Sequence, residues 1–113
     1  MTPQKFRTIA LGLPEALEQS HMGHPDFRVG GKIFATLGYP DKGWGVVKLT
    51  PKQQQSFVEA QPEIFQPVKG GWGRQGHTNV RLSTATQAAA RLALITAWRN
   101  TAPKQLLQDL KDE

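Results

Sequence analysis

The sequence predicts an α+β fold, an antiparallel sheet with helices packed on one face, and three observations carry that expectation. Apolar residues alternate with a period of two through the middle of the chain. Segments of helical period, marked by capping residues and prolines, lie before, between and after these stretches. The resulting order is a helix, a run of strands, a helix, one or two strands and a final helical stretch, which suits an antiparallel sheet with helices on one side.

Thr2-Pro3 is a helix start with proline at the first helical position, and Phe6, Ile9, Ala10 and Leu13 follow on one face until Gly12 and Pro14 stop it. Ala16 to Met22 alternates weakly, as an edge strand does. From Asp26 to Leu49 the chain reads as a three-stranded meander. Phe27 and Val29 share a face, Gly30-Gly31 supplies a two-residue hairpin turn, and Ile33, Ala35 and Leu37 point inward from the next strand. Pro40-Asp41-Lys42-Gly43 is turn chemistry, and Trp44 to Leu49 forms the third strand with Gly45, Val47 and Leu49 inward.

Thr50-Pro51-Lys52-Gln53 is a capping box, so a helix is expected from Pro51 through Ala60 until Pro62 interrupts it. Phe65 to Lys69 is a short strand confined to an edge by Pro67, and the glycine-rich Gly70 to Gly76 is a loop. His77 to Leu82 alternates again with Thr78, Val80 and Leu82 inward. Thr84 and Gln87 make a second capping box for the longest helix, to about Asn100, with Ala88, Leu92, Leu94, Ile95 and Trp98 as its apolar sector. Arg91 and Arg99 fall inside that sector, where their stems pack and their heads reach the rim. Pro103 breaks the helix and Lys104 to Leu110 adds a last short one.

At 113 residues, with 38% hydrophobic and 20% charged residues, residues 1–113 are expected to form a single soluble domain. The absence of cysteine excludes a disulfide framework, a thiolate nucleophile and a Cys-based metal site. No stretch approaches the roughly 18 apolar residues of a membrane span, and Met1 to Gly12 lacks the apolar core of a signal peptide, so a cytoplasmic protein without membrane partners is expected. The net charge of +5 is regional. Residues 26–58 carry +3, and from Ile64 to Gln108 Lys69, Arg74, Arg81, Arg91, Arg99 and Lys104 stand without a single acid. Such a block attracts polyanions, although a solvated surface alone also accounts for a basic charge balance.

The residues placed outward on the strands are Arg28, Lys32, Phe34, Trp44, Lys48, His77, Asn79 and Arg81, bases interleaved with aromatics. Gly71 to Gly76 matches G-x-G-x-x-G, but a strand rather than a helix follows it and the next acid is Asp109, so the dinucleotide context fails and no cofactor is expected. The stretch remains either a flexible hairpin loop or a mobile wing whose Lys69, Trp72 and Arg74 touch phosphate and stack on a base. His21, His24 and Asp26 are metal-ligand types close in sequence. Gly23 and Pro25 break the spacing of a ligand pair and no fourth ligand is evident, so they read as surface or turn residues. Ser20 beside His21 points to the opposite face of a strand, and no nucleophile, base and orienting acid assemble.

Leu13-Pro14-Glu15-Ala16, Phe27 to Ala35, Val47-Lys48-Leu49, Ala97-Trp98-Arg99 and Ala102-Pro103-Lys104 occur in an order that resembles the MmcQ/YjbR-like family of small bacterial proteins. The likeness spans nearly the whole chain, and Phe27 to Ala35 is its most specific piece. The resemblance implies a CyaY-like α+β fold with a double-wing arrangement, which is why members are called DNA-binding. Frataxin has a similar fold and uses an acidic ridge for iron. Residues 1–25 depart from that pattern, with Glu15 and Glu18 against Lys5 and Arg7.

Together these readings point to a non-enzymatic module that binds DNA or another nucleic acid. Arg28, Lys32, Lys48, Lys69, Arg74 and Arg81 would contact phosphate, and Trp72 and Trp44 would stack. A protein-interaction or small-ligand module, with an acidic protein as partner, is the alternative. An enzyme working through His21, His24 and His77 would need the three to converge on one pocket.

Overall fold

The computed structural model describes residues 1–108. The elements are α1 (Pro3–Leu11), β1 (Leu17–His21), β2 (His24–Val29), β3 (Lys32–Leu37), β4 (Trp44–Lys48), α2 (Pro51–Ala60), β5 (Phe65–Pro67), α3 (Gly71–Arg74), β6 (His77–Arg81), α4 (Gln87–Thr101) and α5 (Lys104–Leu107). The continuation expected to Leu110 and the acidic tail from Asp109 lie outside the described residues.

The strands form one antiparallel sheet in the order β1-β2-β3-β4-β6-β5, with β1 and β5 at its edges. Gly30 and Gly31 take φ of 59° and 80° and close Val29 onto Lys32, as a two-residue turn requires. A second turn of this kind joins β1 to β2. Met22 and Gly23 take φ of 51° and 80°, and His21 stands directly opposite His24. The strand expected from Asp26 therefore begins two residues earlier, and the meander has four strands rather than three.

Thr2 caps α1 by accepting from the Lys5 amide at 3.0 Å, and the α1 face of Phe6 and Ala10 is fully buried. Its Phe6 ring lies 6.3 Å from Phe27 and fills the space left by Gly45, where a Cβ would come within 2.9 Å of it. The capping box of α2 forms in full, with Gln53 N–H donating to Thr50 Oγ1 at 3.1 Å and Thr50 N–H to Gln53 Oε1 at 2.9 Å. This helix packs Phe57 edge-on against Phe65 at 5.0 Å. The long helix α4 begins two residues later than the sequence suggests. Thr84 donates its hydroxyl to the Glu63 and Arg81 carbonyls, leaving Thr86 to cap through Ala89 N–H at 3.1 Å.

The buried face of α4 also differs from the expected one. Ala89, Ala90, Ala93, Leu94, Ala97 and Trp98 turn inward, while Ala88 and Leu92 are exposed. Arg91 and Arg99 are exposed, on the outer side rather than within the apolar sector. Leu94 and Trp98 are buried as expected and Ile95 packs on the core, so the expected sector is offset only at Ala88 and Leu92. The alanines win because a smooth surface brings the helix close to the sheet, and Trp98 then anchors it by donating Nε1–H to the Pro14 carbonyl at 3.0 Å.

The strand alternation is interrupted once. Phe27 pairs with Ala35 but Arg28 with Ile33, so Phe34 is an extra residue opposite a single step of β2. That bulge corrects two expectations. Phe34, expected outward, is fully buried, and Ile33, expected inward, shares the face of Arg28.

The glycine-rich stretch is neither an open loop nor a wing held away from the body. Residues 71–74 make the single turn α3, and Gln54 Nε2 on α2 donates to the Gly73 and His77 carbonyls at 3.0 and 2.9 Å. A Cβ on Gly73 would overlap the Val68 carbonyl, and one on Gly76 the Leu49 carbonyl. Here glycine serves close backbone approach. Gly73→Ala is expected to lower unfolding free energy by about 3 kcal/mol, or to prevent folding, in a urea titration. Gly71→Ala, where the nearest contact is 3.5 Å, should cost less than half as much.

Candidate ligand groove on the uncovered sheet face

Helices α1, α2 and α4 lie on the face that carries Phe27, Ala35, Val47 and Val80. Cross-strand partners share a face, so the opposite face carries Arg28 with Ile33, Thr36 with Val46, Val46 with Asn79, Lys48 with His77, and Trp44 with Arg81. Across this face runs a groove of about 850 Å³. Ile33, Phe34, Val46 and Val68 give it an apolar floor. One wall is built from His21, Met22 and His24 at the β1–β2 turn together with Tyr39, and the other from Trp72 and His77. Lys32 and Lys48 line it as well. The bulge at Phe34 makes this floor, since it is what turns Ile33 outward.

Trp72 is 63% exposed, which is unusual for an indole in a body this small. Its ring stands edge-on to His77 at 5.0 Å, and its carbonyl accepts from His77 Nδ1 at 3.0 Å. Burial lowers the His77 pKa; the Trp72 carbonyl opposes that shift and the nearby Lys48 charge adds to it. At neutral pH the ring is uncharged, with Nε2 as its remaining acceptor.

Behind the opposite wall Asp26 is fully buried and ionised. Arg28 grips it with Nε at 2.8 Å from Oδ1 and a second guanidinium nitrogen at 3.1 Å from Oδ2, and His21 Nδ1 reaches Oδ2 at 2.7 Å. The Arg28 hydrogen bond is the main reason the Asp26 pKa lies below its usual 3.8; burial pushes the other way and the His21 hydrogen bond assists. Against an ionised carboxylate, His21 Nδ1 donates, which leaves Nε2 as the free ring nitrogen.

Of the seven residues expected to bind nucleic acid, Arg28, Lys32, Lys48 and Trp72 come together along the groove. Arg28 arrives there with its charge already paired to Asp26. Arg81 is on the same face but stacks over the Trp44 ring at 4.6 Å, outside the groove. Lys69 and Arg74 are exposed and do not line it. The sequence reading did not include His21, His24, Tyr39 or Val68 in this surface. Only Met22-Gly23, a two-residue turn between two histidines, could have signalled the first two.

His21, His24 and His77 all line the groove, but His77 lies on β6, four strands from His21 on β1. At about 4.8 Å per strand that is roughly 19 Å, too far for the three to act on one atom. Ser20 pairs with Pro25, on the opposite face from the His21–His24 pair. Among the described residues no group of three or more His, Cys, Asp or Glu is gathered to hold a metal ion, and no helix is long and apolar enough to cross a membrane.

Because the Asp26 pKa is lowered on folding, its contribution to stability is complete above about pH 3.8 and is lost as the pH falls through the folded-state value. Thermal unfolding followed by circular dichroism should therefore show Tm falling on acidification below that pH. Asp26→Asn should lower Tm by roughly 5–10 °C at pH 7 and flatten this acid limb.

A family model described as YjbR matches residues 11–100. No curated protein matches the sequence. Among solved structures, the chain is similar to the crystal structure of Deinococcus radiodurans protein DR2400, which carries the family-model domain DUF419. The TM-score is 0.72 at 17% identity, over 96% of this chain and 87% of that one. At that identity the likeness is one of fold: the α+β architecture is shared.

Proposed function

The chain belongs to the YjbR family, and we propose that this member is a non-enzymatic module that binds single-stranded nucleic acid in the groove of its uncovered sheet face. One observation carries the reading: an exposed indole, Trp72, stands beside an apolar floor with Lys32 and Lys48 lining the same groove. A base stacks on Trp72 and covers Val46 and Val68, while the two ammonium groups meet the flanking phosphates. The acid-free stretch from Ile64 to Gln108 supplies the surrounding positive field.

A single strand suits the groove better than a duplex. Its floor is apolar, and bases in a duplex keep their faces stacked on one another. The bases held in ion or ring pairs also reduce the phosphate footprint, since Arg28 is committed to Asp26 and Arg81 to Trp44. Lys69 and Arg74 extend the footprint beyond the groove only if the strand continues over α3.

A small amphipathic anion is the second reading, favoured by a volume within the range of small-molecule sites. An acidic protein partner would use the same lysines without needing the indole.

Titration of labelled single-stranded and duplex oligonucleotides at two salt concentrations tests the proposal. Single strands are expected to bind with Trp72 fluorescence quenched, and affinity should fall with salt at a log-log slope of about −0.7 per phosphate. Trp72→Ala should weaken binding about 10-fold or more, and Lys32→Ala with Lys48→Ala should make the salt slope shallower by about 1 to 2. Absence of binding at low salt overturns the proposal, and competition by a mononucleotide but not by a longer strand favours the small-anion reading.

A further inference from the structure

The β1–β2 turn carries a feature that oligonucleotide binding does not use. Met22 and Gly23 in left-handed conformation close the strands so tightly that His21 and His24 become a directly opposed cross-strand pair. Side chains so placed share a face with Cβ atoms about 4.5–5.5 Å apart, and both of these line the groove.

His21 also has one ring nitrogen held by a buried carboxylate. His21 Nδ1 is 2.7 Å from Oδ2 of the buried Asp26, and Asp26 is fixed by the two-point grip of Arg28. His24 stands edge-on to Tyr39 at 6.5 Å, and its Nδ1 faces Gly38 so closely that a Cβ there would lie 3.3 Å away. What remains on His21 is Nε2, and the His24 ring stands on the same face across the turn. A carboxylate hydrogen-bonded to the far nitrogen of an imidazole is the outer support that orients metal-ligating histidines and raises their basicity. Here that support is itself locked by a guanidinium.

We propose that His21 and His24 form a two-imidazole site for a late first-row divalent cation at the β1–β2 turn, with Asp26 and Arg28 as positioning residues behind His21. Metal–nitrogen bonds of about 2.0–2.1 Å, from His21 Nε2 and one nitrogen of His24, span the separation of such a cross-strand pair. The donor set selects the metal. Two imidazole nitrogens with no free carboxylate suit Cu(II) first and Ni(II) or Zn(II) after it, and give Mg(II) and Ca(II) no hold. The protein supplies two ligands, so water or a ligand lying in the groove completes the coordination. Asp26 is not a third ligand, because both of its oxygens are engaged.

Isothermal titration of the full chain with Cu(II), Ni(II), Zn(II) and Mg(II) tests this, with NMR of the histidine ring protons reporting which rings respond. One equivalent of Cu(II) is expected to bind most tightly, with the His21 and His24 signals perturbed first and no response to Mg(II). His21→Ala and His24→Ala should each weaken binding at least about 10-fold, and Asp26→Asn about 10-fold. His77→Ala, four strands away, should leave metal affinity intact. Because Asp26→Asn is also expected to lower stability, its affinity is read well below its own Tm. The proposal is overturned if Cu(II) affinity survives His21→Ala or His24→Ala, if His77→Ala weakens it equally, or if no late metal binds. None of these outcomes depends on whether an oligonucleotide binds.

Discussion

The seating of α4 on the sheet is the interaction on which the rest of the molecule depends. Ala90, Ala93 and Ala97 are fully buried on its inner side, and small side chains let a helix lie close to β3 and β4. Trp98, fully buried, then donates to the Pro14 carbonyl and fixes the chain leaving α1. With α1 held beside α4, and α2 tied to it through Gln53 and Asn100, the long helices occupy one face. The other face is consequently left without a helical cover, and the groove is a direct result of that one-sided packing.

Much of this was legible in the residues, and the failures have identifiable causes. Thr2-Pro3, the Thr50–Gln53 box and Gly30-Gly31 are local signals whose hydrogen bonds or dihedral angles close within four residues, and each forms as read. On α4 the expected Leu94 and Trp98 pack inward, but Leu92 does not, because hydrophobicity favours Leu92 over Ala93 whereas the packing distance favours the smaller residue. A period-two pattern assumes unbroken pairing and hides the bulge at Phe34, where one inserted residue shifts the phase so that Ile33 turns outward while Ala35 and Leu37 stay inward. The glycines from 70 to 76 read as a flexible loop. Two of them instead admit neighbouring carbonyls, a requirement set by Val68 and Leu49 that no local pattern reveals.

The site shows the same division. Charge per residue is readable, but charge available to a ligand is not. Arg28 and Arg81 were counted with the lysines, yet one neutralises a buried carboxylate and the other covers an indole. What reaches an incoming anion in the groove is chiefly Lys32 and Lys48. A basic sequence therefore becomes a moderately basic groove laid over an apolar floor.

Asp26 is the least expected member of this surface, and its position demands a physical reason. Removing a carboxylate from water is expensive, and a buried ion pair rarely repays more than that cost. A hydrophobic residue at this position would be buried at lower expense. The carboxylate instead engages two partners that both line the groove, so its cost is offset at the surface rather than in the core. Arg28 loses mobility and net charge through the contact, and His21 gains a fixed tautomer and a fixed Nε2. The burial is thus tied to the orientation of one imidazole, opposite another across a turn only two residues long.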